Sequence, residues 1–196
     1  PVVVLLFCGV SWAIRYKVTP FTFPLALLTT FTLICKITEL KRRKAVQFLC
    51  GNIILLCGIG LICFLIQDIG GDSYHQESAY LLSHGWNPIY SPVYTGIEKI
   101  KHSQWCYCYA KGQETINASI VSLTGNIEIG KLGNFFLPIS CLMFVYLSLD
   151  KIFVAWSNKK LWIISAIVSF PPVVVSQVLT YYIDFNLYSI FVIFLF

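Results

Sequence analysis

The composition of this 196-residue chain excludes an ordinary soluble domain. Apolar residues make up 57% of it and charged residues only 12%, whereas soluble domains average about 45–50% and about 25%. The net charge of +5 comes from 14 basic and 9 acidic residues, and basic residues at the ends of apolar runs indicate membrane topology. We therefore expect an all-α integral membrane protein, not a soluble enzyme, a disordered chain or a nucleic-acid binder.

Apolar stretches along the chain predict a polytopic bundle of about six membrane-spanning helices. Because a span needs about 20 apolar residues, the first and last stretches are too short. We expect the chain to be a fragment of a longer protein, cut within a helix at each end. Pro171 and Pro172 lie inside the fifth stretch and should break that helix. The six stretches are 2–14, 21–37, 46–66, 134–153, 161–180 and 187–196.

Basic residues predict which side of the membrane each loop faces. Basic clusters at 41–44 and 151–160 lie in short loops, which marks those loops as cytoplasmic. Alternation of the spans then places 68–133 and 181–186 on the extracytoplasmic side. The same alternation places Arg15 outside, against the general preference of basic residues for the cytoplasm.

The chain thus divides into helices 1–3 (residues 1–67), an extracytoplasmic loop (68–133) and helices 4–6 (134–196). The loop holds six of the nine acidic residues and all three histidines, so chemistry is expected there. Two amphipathic helices are predicted in it, at 73–83 and 113–123, and both are expected to lie at the membrane interface with the apolar side down.

The cysteines predict neither a disulfide framework nor a metal site. Six of the eight fall in apolar stretches, where they are expected to be small buried hydrophobic residues. Cys106 and Cys108 are two residues apart in the loop, without the second ligand pair that a zinc site needs.

Asp72 is the candidate catalytic residue on chemical grounds. It follows a span and precedes a short amphipathic helix and an aromatic turn, Gly85 to Tyr90. A carboxylate at the membrane interface can accept a proton from a hydroxyl beside a lipid-borne substrate. The alternative interpretation is that Asp72 stabilises a helix start as an N-terminal acid, and that His75 is an ordinary interfacial residue.

Ordered motifs over residues 46–196 resemble bacterial GT-C glycosyltransferases. This group depends on polyprenyl-phosphate sugars and includes enzymes similar to protein mannosyltransferases. Ala110 stands where the family usually has proline. The motifs are Asp72-Ser73-Tyr74-His75, Gly85-Trp86-Asn87-Pro88, Tyr109-Ala110-Lys111-Gly112-Gln113-Glu114, the run 122–131 and Thr180-Tyr181-Tyr182-Ile183-Asp184.

The resemblance implies transfer of a sugar from a polyprenyl-phosphate donor to an acceptor hydroxyl at the outer face, with inversion. It makes Asp72 the base, with Asp68 and Glu77 as alternatives. A cation should stabilise the leaving lipid phosphate, and Lys111 is the first candidate. No metal site is predicted, although Asp72 with Glu77 or Asp184 could hold a divalent ion. The residues expected to bind substrate are His75, Lys111, Tyr74, Trp86, Glu114 and Asp184.

The expected location is the bacterial inner membrane, crossed several times, with the lipid-linked donor and membrane lipid as partners. The acceptor is not identified. Two other classes compete with the enzyme. A transporter or flippase is favoured by the Pro171-Pro172 break, because broken helices often line substrate paths. A non-catalytic membrane subunit would use the outer loop to bind a partner.

Overall fold

The computed structural model describes residues 2–37, 42–66, 73–91, 106 and 111–196, and these residues are all-α, with no β-strand among them. They form two compact units, which divide between Gly133 and Asn134. Each unit has its own internal contacts.

The first unit is built around one central helix. That helix, α5, contacts α1, α2 and α4, while α3 packs against the short α6. The helices are α1 (Val2–Ala13), α2 (Thr22–Ile37), α3 (Arg42–Leu65), α4 (Ser73–Ser83), α5 (Gly112–Thr124) and α6 (Ile127–Gly130).

Helix α5 differs from its predicted role. Every residue from Glu114 to Val121 is buried, and a run longer than two turns covers all faces of a helix. The expectation that this helix lies on a surface with one apolar side is therefore wrong. Helix α4 does have two faces, since Tyr74 and Leu82 are buried while Ser73 and Tyr80 are exposed.

The ends of these helices follow local sequence signals. The chain leaves α4 through Gly85 at φ +100°, and α5 ends at Gly125 at φ +69°, a left-handed conformation that glycine adopts without steric cost. The Asn126 side chain accepts hydrogen bonds from the Glu128 and Ile129 amides and so caps α6. The helices predicted at 73–83 and 113–123 are confirmed.

The backbone at Gly133, shortly after α6, packs directly against α5. A Cβ placed on Gly133 would lie 2.2 Å from Asn117 Oδ1 and 3.0 Å from Ile116 Cγ2. Asn117 is itself buried and accepts a hydrogen bond from Gln113 Nε2 at 2.9 Å. Only a residue without a side chain allows the backbone to lie this near to α5.

The second unit contains a helical pair and a broken helix. After the 3₁₀ segment Lys131–Phe135, α7 (Phe136–Ile152) packs against α8 (Asn158–Ser169) and α10 (Asp184–Leu195). Its core is formed by Cys141, Val145, Leu149, Leu161 and Val192. The predicted break is confirmed: α8 ends at Ser169 and α9 (Pro172–Gln177) begins at Pro172, because proline cannot continue the hydrogen-bond ladder.

Within the described residues, one helical stretch is long and apolar enough to cross a membrane. It is the 26 residues from Ile127 to Ile152, made up of α6, the 3₁₀ segment and α7. Four shorter apolar helices of 10–17 residues accompany it, within α1, α2, α3 and α10. Among the cysteines of the predicted spans, Cys8, Cys63 and Cys141 are buried as expected, whereas Cys50 and Cys57 are exposed on α3.

Candidate functional site

A buried histidine–carboxylate pair joins α4 to α5. His75 Nδ1 lies 2.6 Å from Glu114 Oε1, and the two side chains are only 2% and 1% exposed. His75 belongs to the first turn of α4 and Glu114 to the first turn of α5. The N-terminal turns of the two helices therefore meet at this contact. The second carboxylate oxygen, Glu114 Oε2, is buried and has no hydrogen-bond partner among the described residues.

Tyr74 packs against His75, and Cys106 packs against Tyr74. The Tyr74 ring lies against His75 with the ring centroids 4.2 Å apart, and Cys106 Sγ donates to the Tyr74 carbonyl at 3.5 Å. Burial raises the pKa of the Cys106 thiol, and a hydrogen bond with the Ser78 side chain partly opposes that rise. Cys106 is therefore a buried thiol that packs against the start of α4.

Lys111 directly precedes α5. Lys111 as a whole is half-buried, whereas its amino group is enclosed by protein atoms. Lys111, the N-cap residue, makes no side-chain capping hydrogen bond at the start of α5, where the amides of a first turn create a positive potential. A lysine and a helix N-terminus together provide an environment suited to an anion.

Of the three candidate bases, the structure describes Glu77. Asp72 and Asp68 lie outside the described residues, so the choice among Asp68, Asp72 and Glu77 stays a prediction. Glu77 is described and lies on the outward face of α4. It is thus separated from Glu114, which occupies the enclosed face between the helices.

Hydrogen bonds join the turn after α4 to the end of α1. Trp86 is buried and its Nε1 donates to the Ser91 carbonyl at 2.7 Å. Asn87 Nδ2 donates to Trp12 O at 3.0 Å, and the Tyr90 hydroxyl donates to Ala13 O at 2.9 Å. The bonds from Asn87 and Tyr90 tie this turn to carbonyls in the last turn of α1, and the Trp12 carbonyl also accepts from the Arg15 amide. The predicted contact between Trp86 and a sugar stays a prediction.

Arg15 lies over the Tyr90 ring, with its guanidinium carbon 4.8 Å from the ring centroid. This cation–π contact holds Arg15, two residues after the end of α1, beside the turn that follows α4.

The motif at 122–131 covers the end of α5 and the start of the apolar helical stretch Ile127–Ile152. Lys131 is buried, and its Nζ donates to Glu128 Oε2 at 2.5 Å. A charge in so enclosed a position needs a partner, and Glu128, three residues earlier in the chain, supplies it. The role of these two residues in this structure is to begin a helix.

Asp184 belongs to the second unit. It is the first residue of α10, it is exposed, and its Oδ2 accepts a hydrogen bond from Gln177 Nε2 at 3.5 Å. Its predicted contact with substrate stays a prediction.

No cluster of three or more metal-ligating side chains occurs in the part of the chain that the structure describes. Of the predicted ligands, Glu77 and Asp184 are described and Asp72 is not.

An open groove of about 630 Å³ runs along the outward face of α4, and sequence reasoning did not single it out. Residues one helical turn apart line it, and this spacing was the available signal. The lining consists of Ser73, Gln76, Glu77, Tyr80, Ser83, His84, Val121, Ser122, Gly125 and Ile127.

Comparisons with known proteins add no assignment: no protein-family model matches the chain, and no curated protein or solved structure is significantly similar to it.

Proposed function

We propose that this chain is part of a polytopic membrane glycosyltransferase of the GT-C type. It moves a sugar from a polyprenyl-phosphate donor to an acceptor hydroxyl at the extracytoplasmic face, with inversion. The observation that carries the proposal is the buried contact between His75 and Glu114. It joins the two loop motifs on which the resemblance depends, 72–75 and 109–114, at the N-terminal turns of α4 and α5.

A membrane environment is supported by the apolar side chains that the helices leave uncovered. Ile54 and Leu65 of α3 are 71% and 69% exposed, and Phe194 of α10 is 88% exposed. Large apolar faces of this kind are costly in water and favourable in lipid. With the apolar helix Ile127–Ile152, they favour the several spans predicted from the sequence.

The proposed topology gains support from Arg15. Alternation of the spans places Arg15 and the segment 68–133 on the same side of the membrane. The contact between Arg15 and Tyr90, with the bonds from Asn87 and Tyr90 to the end of α1, is consistent with that arrangement. Arg15 is then a partner of the outer segment rather than an exception to the topology.

In the proposed reaction, Asp72 accepts the proton of the acceptor hydroxyl. The acceptor oxygen attacks the anomeric carbon from the side opposite the phosphate, the bond from that carbon to the phosphate oxygen breaks, and the lipid phosphate leaves with the electron pair. Lys111 and the N-terminus of α5 stabilise the charge on the phosphate. The His75–Glu114 pair holds α4 and α5 together, so that Lys111 and the N-terminal turn of α4 lie at the same end of the two helices.

Sugar transfer from a radiolabelled polyprenyl-phosphate sugar, measured with the full-length protein in proteoliposomes, tests this proposal. Asp72→Asn should reduce turnover by at least about 100-fold, the usual range for removal of a general base. Asp150→Asn is the matched control, since Asp150 is exposed at the end of α7, and it should leave turnover unchanged.

Unchanged turnover in Asp72→Asn would remove Asp72 as the base, and the same assay on Asp68→Asn and Glu77→Gln would then decide between the alternatives. Movement of the labelled lipid across the bilayer without any glycosylated product would contradict the enzyme proposal and favour a flippase.

A further inference from the structure

The groove along α4 has a lining rich in hydrogen-bond acceptors. Glu77 contributes a carboxylate, Gln76 an amide oxygen, and Ser73 and Ser122 hydroxyl oxygens. An ionised carboxylate only accepts hydrogen bonds. The Gln76 amide and the serine hydroxyls can also donate, so a ligand that presents a donor to Glu77 and both donors and acceptors elsewhere fits this lining.

His84 adds a further acceptor. Its Nδ1 lies 2.8 Å from the Tyr80 carbonyl oxygen and 3.1 Å from Ser83 Oγ, and in the tautomer that donates to the carbonyl, Nδ1 carries the proton. In the neutral ring this leaves Nε2 as the acceptor. His84 also stacks on Tyr80 with the ring centroids 3.9 Å apart, so the two rings form one platform at the exposed end of the groove.

The groove does not suit the anionic phosphate of the donor. Among the residues that the structure describes, its lining contains a carboxylate and no lysine or arginine, and a carboxylate beside a phosphate is repelled by it. Lys111 is not among the residues that line the groove. The donor phosphate and the occupant of the groove therefore have separate places.

We propose that this groove binds the acceptor substrate, and that the acceptor is a neutral saccharide. A sugar presents hydroxyl donors to Glu77, Gln76 and His84, and its less polar ring face can pack on Tyr80, which is 49% exposed. A volume of about 630 Å³ is within the usual range for small-molecule sites.

The assignment of the saccharide as acceptor rests on the proposed function, and the binding of a saccharide in the groove does not. Ser73, at one end of the groove, is the residue that follows Asp72 in the sequence.

Binding of neutral glycosides to the full-length protein in lipid nanodiscs tests the groove. The probes are the methyl glycosides of glucose, mannose and N-acetylglucosamine, measured by saturation-transfer NMR, with inorganic phosphate as the anionic comparison. Glu77→Gln should weaken binding of the preferred glycoside about tenfold through loss of one charge-assisted hydrogen bond, and Tyr80→Ala should weaken it by up to about tenfold through loss of the ring packing. Asp150→Asn should bind as the wild type does, and phosphate should not compete.

The inference is overturned if none of the three glycosides gives a saturable signal, or if Glu77→Gln and Tyr80→Ala both bind as tightly as the wild type. Sugar transfer that depends on Asp72, together with binding that does not depend on Glu77, would leave the proposed function standing without the groove. Glycoside binding that depends on Glu77 in a protein without transferase activity would leave a saccharide site and contradict the proposed function.

Discussion

His75 Nδ1 and Glu114 Oε1 lie 2.6 Å apart in the interior of the first unit, although 39 residues separate them along the chain. An enclosed carboxylate and an enclosed imidazole each need a partner, and here each supplies it to the other. This contact holds the start of α4 against the start of α5.

Removal of Glu114 should therefore destabilise the unit. Glu114→Ala leaves the His75 ring without that acceptor, and we expect the free energy of unfolding to fall by about 1–3 kcal/mol. Loss of helical circular dichroism during a denaturant titration in detergent measures the change.

A double-mutant cycle with His75→Ala separates the contact from other effects of the substitutions. A coupling of about 0.5–3 kcal/mol is expected for residues in direct contact. Additive effects of the two substitutions would contradict the contact. Ser140→Ala, at an exposed position of α7, combined with Glu114→Ala should give no coupling.

The approach of Gly133 to Asn117 leads to a second prediction. Gly133→Ala would place a methyl carbon 2.2 Å from Asn117 Oδ1, so the exit from α6 must shift, and such overpacking costs about 1–3 kcal/mol. Gly58→Ala is the matched control, because a Cβ at Gly58 meets no atom within 4 Å. Thermal unfolding of the two variants compares them, and equal midpoints would show that the backbone at Gly133 does not pack as described.

The raised pKa of Cys106 predicts slow alkylation. Because burial keeps the thiol protonated above its ordinary pKa of 9.0, and because only the thiolate reacts, iodoacetamide at about pH 9 should modify Cys106 at least about tenfold more slowly in the folded protein than in the denatured one. Peptide mass spectrometry measures the two rates, and equal rates would contradict the enclosed position of Cys106.

The same shift sets the sign of a pH effect on stability. A thiol whose pKa is higher in the folded state stabilises the protein below the pKa of the unfolded state. That contribution is lost as the pH rises from the ordinary thiol value through the raised one. Cys106→Ser should lessen this loss at alkaline pH.

Topology gives a fourth prediction. In a background without native cysteines, Thr124→Cys should react with a membrane-impermeant maleimide applied from outside, and Ser157→Cys should react only after permeabilisation. Both positions are exposed, so access differs only through the membrane. Labelling of Ser157→Cys and not of Thr124→Cys would mean that the proposed topology is inverted.

Local signals were sufficient to predict much of the secondary structure. The limits of α4, the stop at Gly85 and the break before Pro172 depend on residues within one or two turns of each other, and the physical reasons are backbone geometry and missing donors. For this reason, single-sequence patterns place them correctly.

The environment of α5 could not be predicted in this way. Glu114, Asn117 and Ser119 are polar residues of the helix that the sequence predicts to lie at the membrane interface with its apolar side down. All three are buried, because Glu114 pairs with His75 and Asn117 with Gln113, while the Ser119 hydroxyl donates to a carbonyl of its own helix. Only the partner of Glu114 comes from a distant segment, and a contact of that kind leaves no periodic signal in the chain, whereas the partners of Asn117 and Ser119 lie within α5.

The proposal that α4, α5 and the residues before them transfer a sugar from a lipid phosphate is tested most directly by the anomeric configuration of the product. The full-length protein, given a polyprenyl-phosphate sugar of known configuration, should yield a glycoside of the opposite configuration by NMR, and Asp72→Asn should yield about 100-fold less of it. A product that retains the configuration of the donor, or no transfer of the sugar at all, would contradict the account.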